Sequence, residues 1–253
     1  MEKKFGMTGT WLKLIAVTTM FIDHIGAGII EIWLYGNWYS FPEDYRQKME
    51  MVDGVLRAIG RIAFPIFCYM LVEGFLHTRN VKKYGLRLFV VGLISEIPFD
   101  YLFANDIFNL YHNNVMWELL LGLLVLNSIS YVEQLNINNK VKNLQIMIVL
   151  LVGMLIGHFT ALDYGAGGIC CIAAMYMWNG TERIQRVKAF AVGVLVLVVT
   201  FGLKEAWAFL GIIPMYFYNG TRGADNKAIR LFFYLFYPVH IILLGLIAYS
   251  FFR

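Results

Sequence analysis

The chain has 253 residues, of which 59% are hydrophobic, 16% aromatic and 15% charged, and it carries a net charge of +4. Soluble domains average about 45–50% apolar and about 25% charged residues, so the apolar surplus faces lipid rather than water. That balance argues against a disordered chain, a disulfide scaffold or a nucleic-acid binder. Cys68, Cys170 and Cys171 all sit in apolar runs without metal-ligand spacing, so no metal site is expected.

The polar, basic start Met1–Thr10 leads into an apolar run too long for a cleaved signal sequence, which therefore reads as a retained first helix. A membrane helix needs about 20 mainly apolar residues, and that ruler gives about nine transmembrane or re-entrant segments. They are Trp11–Leu34, Gly54–Leu76, Tyr84–Ala104, Val115–Tyr131, Leu144–Thr160, Tyr164–Trp178, Val187–Phe201, Ala206–Phe217 and Leu231–Phe252. The sixth and eighth are short. The expected fold is all-α, a polytopic integral membrane helix bundle forming a single domain over 1–253.

Charge orients the stack. Of 21 Lys and Arg, fifteen fall on one side: Lys3, Lys4, Lys13, Arg79, Lys82, Lys83, Arg87, Lys140, Lys142, Arg183, Arg186, Lys188, Arg222, Lys227 and Arg230. Four fall on the other: Arg46, Lys48, Lys204 and Arg253. Cytoplasmic loops carry the basic excess. The expectation is an N-terminus inside and a C-terminus outside, in a multi-pass protein of the cell (plasma) membrane.

Charged groups at membrane depth cost at least about 2.5–3.5 kcal/mol and are usually functional or paired. Asp23 and His24 lie about 13 positions into the first helix, roughly 20 Å from its inner end. Arg57 and Arg61 are four apart on one helical face, and so are Glu96 and Asp100, with Pro98 between them as a kink. The two arginines and two carboxylates at similar depth are expected to pair. A histidine beside a carboxylate is the usual make-up of a general base. His240, just after Tyr237 and Pro238, lies near the middle of the last helix. A haem held by His24 and His240 is a remote alternative.

A polyphosphate cannot be carried to the depth of His24, but a thin uncharged arm can be, with its anionic head left on a basic rim. Coenzyme A has that shape. Its adenosine-phosphate end would meet Lys and Arg while the acyl thioester reached His24.

The chain resembles the TraX family, membrane proteins associated with conjugal transfer and pilin acetylation. The resemblance rests on LKLIAVTTMFIDHIG (Leu12–Gly26), LRAIGRIAFPIFCYMLVEGFLHTRNVKKYGLRL (Leu56–Leu88), ISEIPFD (Ile94–Asp100), DYGAGG (Asp163–Gly168), YNGTRG (Tyr218–Gly223) and FYLFYPVH (Phe233–His240). More distantly, it is similar to the transmembrane acyltransferases, including the sugar O-acyltransferases. There a basic residue precedes the first-helix histidine by three turns; here it is Lys13, where arginine is usual. A lysine cannot reproduce a bidentate arginine contact.

The resemblance implies transfer of an acetyl or other short acyl group from cytosolic acyl-CoA to a sugar, peptide or other amine or hydroxyl acceptor. His24 would be the general base, Asp23 would orient or tune it, and Arg61 and Arg57 would stabilise the oxyanion or bind the acceptor. Lys13, Arg79, Lys82, Lys83, Arg87 and Arg222 would form the acetyl-CoA rim, and Tyr237 and His240 would line the slot. The competing expectation is a non-catalytic membrane assembly or transport protein.

Overall fold

The computed structural model describes residues 6–224 and 226–252, and for Phe252 the backbone alone. Lys3, Lys4 and Arg253, which enter the charge count, lie outside the described residues. Each of the nine expected segments falls on helical backbone, and no strand occurs among the described residues. The helices are α1 (Gly9–Ile25), α2 (Glu31–Gly36), α3 (Glu43–Gly60), α4 (Ala63–His77), α5 (Val81–Phe103), α6 (Val115–Gln134), α7 (Asn139–Phe159), α8 (Gly165–Trp178), α9 (Arg183–Phe201), α10 (Ile212–Phe217) and α11 (Lys227–Phe252). Among the described residues, six helical stretches are long and apolar enough to cross a membrane. The protein is a multi-pass membrane helix bundle.

Three departures from the apolar ruler have physical causes. First, α1 and α2 form one rod joined by a π-helical turn, Gly26–Ile30, directly after His24. Such turns recur at functional sites. The rod packs closely on α3 because two glycines leave room. A Cβ on Gly26 would meet Asp53 Oδ1 at 2.7 Å, and one on Gly60 would run into the Asp23 carboxylate.

Second, the second crossing begins at Glu43, eleven residues before the expected Gly54, because the first half of α3 is an amphipathic, polar-faced helix that hydropathy does not register. The crossing then breaks at Arg61–Ile62 before α4 restarts. Pro65 has no N–H to donate to the Arg61 carbonyl, and its ring crowds that carbonyl. By contrast, α5 runs through Pro98 without a break.

Third, the short eighth segment extends itself by changing helix type. Leu203–Gly211 is a 3₁₀-helix and Ile212–Phe217 is α-helical. At about 2.0 Å per 3₁₀ residue and 1.5 Å per α residue, these span about 27 Å, close to the ~30 Å hydrocarbon thickness.

The loops sort to two ends of the bundle. At the N-terminal end, Gly9 N and Thr10 N donate to Thr221 O and Arg222 O. There the buried Glu73 carboxylate accepts from Tyr69 Oη (3.2 Å), Asn179 Nδ2 (3.2 Å) and Tyr218 Oη (3.0 Å), tying α4 to the segments after α8 and α10. At the opposite end Asn113 N donates to Ala161 O, and His112 Nε2 meets Asp163 Oδ1 at 3.2 Å. The core between them is built from α1, α4, α6, α8 and α11, with Leu12, Ala16, Ile66, Leu123, Ile172 and Ile241 fully buried.

Candidate functional site

His24 and Asp23 are consecutive on a helix, so their side chains point about 100° apart. The structure uses both directions. Asp23 Oδ2 accepts from Arg57 Nη1 at 2.5 Å, and Arg57 Nε lies 3.5 Å from Glu31 Oε1. His24 turns the other way, where its Nδ1 lies 2.7 Å from His240 Nε2. The expectation that Asp23 orients His24 is therefore corrected: the group holding the imidazole is His240, on α11. Neighbouring residues on a helix do not face each other.

The histidine pair is flanked by aromatic rings, with His240 buried and His24 half-buried. The two ring centroids are 4.9 Å apart and the planes are 18° from parallel. The centroid distance exceeds the N–N distance by about two ring radii, so the rings meet edge to edge, as an in-plane hydrogen bond requires. Phe103 abuts His24 at 5.3 Å, and Phe236 lies against His240 at 5.0 Å. His240 Nδ1 donates to Phe236 O at 2.7 Å. The direct contact also rules out a metal sandwiched between the two nitrogens as they stand. An iron would need them separated by twice a metal–nitrogen bond of about 2 Å. The haem alternative does not fit this geometry.

The expected quartet of Arg57 and Arg61 with Glu96 and Asp100 does not form. Arg61 Nη1 pairs with Glu205 Oε1 at 2.9 Å and lies 3.5 Å from Tyr164 Oη. Glu96 accepts from Trp117 Nε1 at 2.5 Å and from Asn114 Nδ2. Asp100 Oδ2 accepts the backbone N–H of Asn109 at 2.8 Å. The reason is helix packing: α5 lies against α6 and α11, whereas α3 lies against α1 and the 3₁₀-helix. Similar depth did not mean proximity.

Cavities run through the bundle from one end to the other. At the N-terminal end a cavity of about 290 Å³ is lined by Lys13, Arg87, Arg222, Tyr84, Tyr234 and Glu73. It shares walls with a slot of about 150 Å³ that continues inward past Arg230, Val17, Leu88 and Phe236 to Met20, Phe67 and Tyr237. Those last three residues also bound a small chamber of about 60 Å³ at His24 and Asp23. Beyond His24 lies a chamber of about 510 Å³ at the opposite end, holding Arg57, Arg61, Glu31, Asp163, Tyr164 and Glu205.

Among the expected rim residues, Lys13, Arg87 and Arg222 line the mouth. Arg79 lies exposed on the turn between α4 and α5, Lys82 and Lys83 lie exposed in the first turn of α5, and none of the three lines these cavities, a correction to their place on the rim. All three precede Arg87, which is one turn further along α5 than Lys83. Tyr237 lines the slot, and His240 is absent from the lining of the slot and of the chamber at His24. Sequence reasoning did not name Arg230, Tyr164, Glu31 or Glu205 as site residues. Tyr164 had a signal, since DYGAGG places it at the start of α8, where its ring stacks on Phe64 at 3.7 Å. Glu205 had none beyond its charge.

The chamber beyond His24 is mixed in sign: Asp23, Glu31, Asp163 and Glu205 line it together with Arg57 and Arg61. At its rim the hydrogen bond that His112 Nε2 donates to Asp163, with the nearby negative charge, raises the His112 pKa above its ordinary value against the opposing effect of burial.

The fold and site define a polytopic membrane protein with a buried histidine pair between a basic mouth and a polar chamber. Chain comparison gives the family: residues 8–248 match the family model described as TraX protein, and the chain belongs to that family. It is similar to the probable fimbrial assembly protein FimC, serogroup H1, of Dichelobacter nodosus. The two are 29% identical over 96% of this chain and 97% of the relative. No solved structure matches.

Proposed function

We propose that the protein is an acyltransferase of pilus or conjugation assembly in the bacterial plasma membrane. It moves an acetyl or other short acyl group from cytosolic acyl-CoA to an amine or hydroxyl acceptor at the membrane or its outer face. The observation that carries this reading is the series of adjoining cavities that meets at His24 from both ends.

The N-terminal end is taken as cytosolic from the basic loops. Lys13, Arg87, Arg222 and Arg230 supply positive charge at its mouth, where phosphates stay near water. The slot beyond is narrow and largely apolar, suited to an uncharged arm that cannot carry its charged head with it. The chamber at His24, about 60 Å³, suits a small acyl group.

The chemistry follows from His24 acting as the general base. As the acceptor N or O attacks the thioester carbonyl carbon, His24 Nε2 takes its proton. The tetrahedral intermediate collapses, the C–S bond breaks, and the thiolate leaves with the proton returned from His24. Arg61 and Tyr164, on the acceptor side of His24, are positioned to donate to developing oxyanion charge. Asp23, Glu31 and Glu205 give the acceptor chamber carboxylates that suit an amine.

Purified full-length protein is expected to transfer label from acetyl-CoA to an acceptor peptide or glycan. His24→Ala is expected to abolish transfer while retaining acetyl-CoA binding. The second reading, a non-catalytic assembly protein, has the relative's name in its favour. It is favoured if wild-type protein neither binds nor consumes acetyl-CoA and His24→Ala supports normal assembly in cells.

A further inference from the structure

We infer that His240 is a positioning residue that fixes the tautomer of His24, leaving the Nε2 lone pair of His24 free for the acyl-transfer chambers. The inference rests on the proposed role of His24 as base, but its main test does not need the transfer reaction.

The argument is a count of donors and acceptors along one chain of hydrogen bonds. A backbone carbonyl only accepts, so at the 2.7 Å contact with Phe236 O the proton sits on His240 Nδ1. In a neutral imidazole the other nitrogen is then a bare acceptor. That nitrogen, His240 Nε2, lies 2.7 Å from His24 Nδ1, which must carry the donated proton. His24 Nε2 is left with its lone pair. Both rings are neutral in this arrangement, as membrane depth favours, and no carboxylate touches either ring among the described residues.

The surroundings make the relay rigid. Phe236 and His240 are one turn apart on α11, so the helix itself supplies the terminal acceptor. Phe21 and Tyr237 meet His240 edge-on at 6.1 and 5.6 Å. Phe103 meets His24 edge-on at 5.3 Å. A base whose other nitrogen is held by a hydrogen bond keeps both its orientation and its tautomer. This role differs from the slot lining expected of His240, which lines none of the cavities that His24 lines.

The test is nitrogen NMR of the full-length chain labelled with ¹⁵N-histidine in detergent micelles, with His24→Gln identifying the His24 resonances. The wild-type protein is expected to show His24 protonated at Nδ1 and bare at Nε2. In His240→Leu the acceptor is gone, and the His24 proton is expected to move to Nε2. In His240→Gln the amide oxygen can accept from Nδ1, so the wild-type tautomer is retained. In parallel, kcat is expected to fall roughly 10–100-fold in His240→Leu, the scale on which orienting partners act. KM for acetyl-CoA should be unchanged, and His240→Gln should recover part of the rate. A wild-type His24 protonated at Nε2, or a tautomer indifferent to His240→Leu, overturns the inference. If the tautomers behave as stated but no acyl transfer is found, the relay stands and the proposed activity fails.

Discussion

Arg57→Met is the substitution whose effect the structure specifies most fully. It removes the cation held 2.5 Å from Asp23 Oδ2 and 3.5 Å from Glu31 Oε1. Removing one partner of a fully buried pair costs about 3–5 kcal/mol, and an exposed pair is worth about 0–1 kcal/mol. The Arg57 and Asp23 side chains are 28% and 19% exposed, which places the loss between those limits, at about 2 kcal/mol. For a chain of this size that lowers Tm by about 4–8 °C. Adding Asp23→Asn to Arg57→Met removes the stranded charge and should return about half of the loss, Glu31 remaining unpaired. The assay is thermal unfolding in detergent micelles across the double-mutant cycle. An unchanged Tm in Arg57→Met, or a double variant no more stable than the single one, would refute the assignment of Arg57 as the counter-ion of Asp23.

Two further outcomes follow from the chambers. Replacing both Arg87 and Arg222 by Ala should weaken acetyl-CoA binding roughly 10–30-fold, at about 1 kcal/mol per charge. Replacing both Arg79 and Lys83 should change it by less than about 3-fold; titration calorimetry separates the two pairs. The His112–Asp163 contact should give a pH-dependent share of stability. Because the folded-state pKa of His112 is raised, that share is fully present below its unfolded pKa and is lost as pH rises through the folded value. Unfolding scans at mildly acidic and mildly alkaline pH should show it, and His112→Gln should abolish the difference. A His112→Gln protein with the wild-type pH dependence would contradict this.

The spans were legible because burial in lipid demands a long apolar run, a demand that six helical stretches meet among the described residues and that the short sixth and eighth segments do not meet alone. The polar start of α3 was not, since its residues 43–53 lack that run, and neither was the break at Arg61, which needed Pro65 to be read against the carbonyl four residues earlier. In the site, the residues were easier to find than their partners. His24, Asp23, Arg57 and Arg61 stand out as polar groups at depth, and all four line one chamber. But His24 and His240 are 216 positions apart, and only packing of α11 on α1 joins them. Sequence adjacency pointed to Asp23 instead, and helix geometry turned that neighbour away. Likewise Glu205 reaches Arg61 only because a 3₁₀-helix returns against α3.

If an acyl group is handed from one side of the bilayer to the other, sided proteoliposomes will reveal it. Labelled acetyl-CoA is supplied only at the face carrying Lys13, Arg87 and Arg222, and the acceptor only in the opposite compartment. Labelled product accumulating in the compartment that never received donor, and absent with His24→Ala, is the expected result. Product confined to the donor's side, or formed equally well from either face, would contradict it.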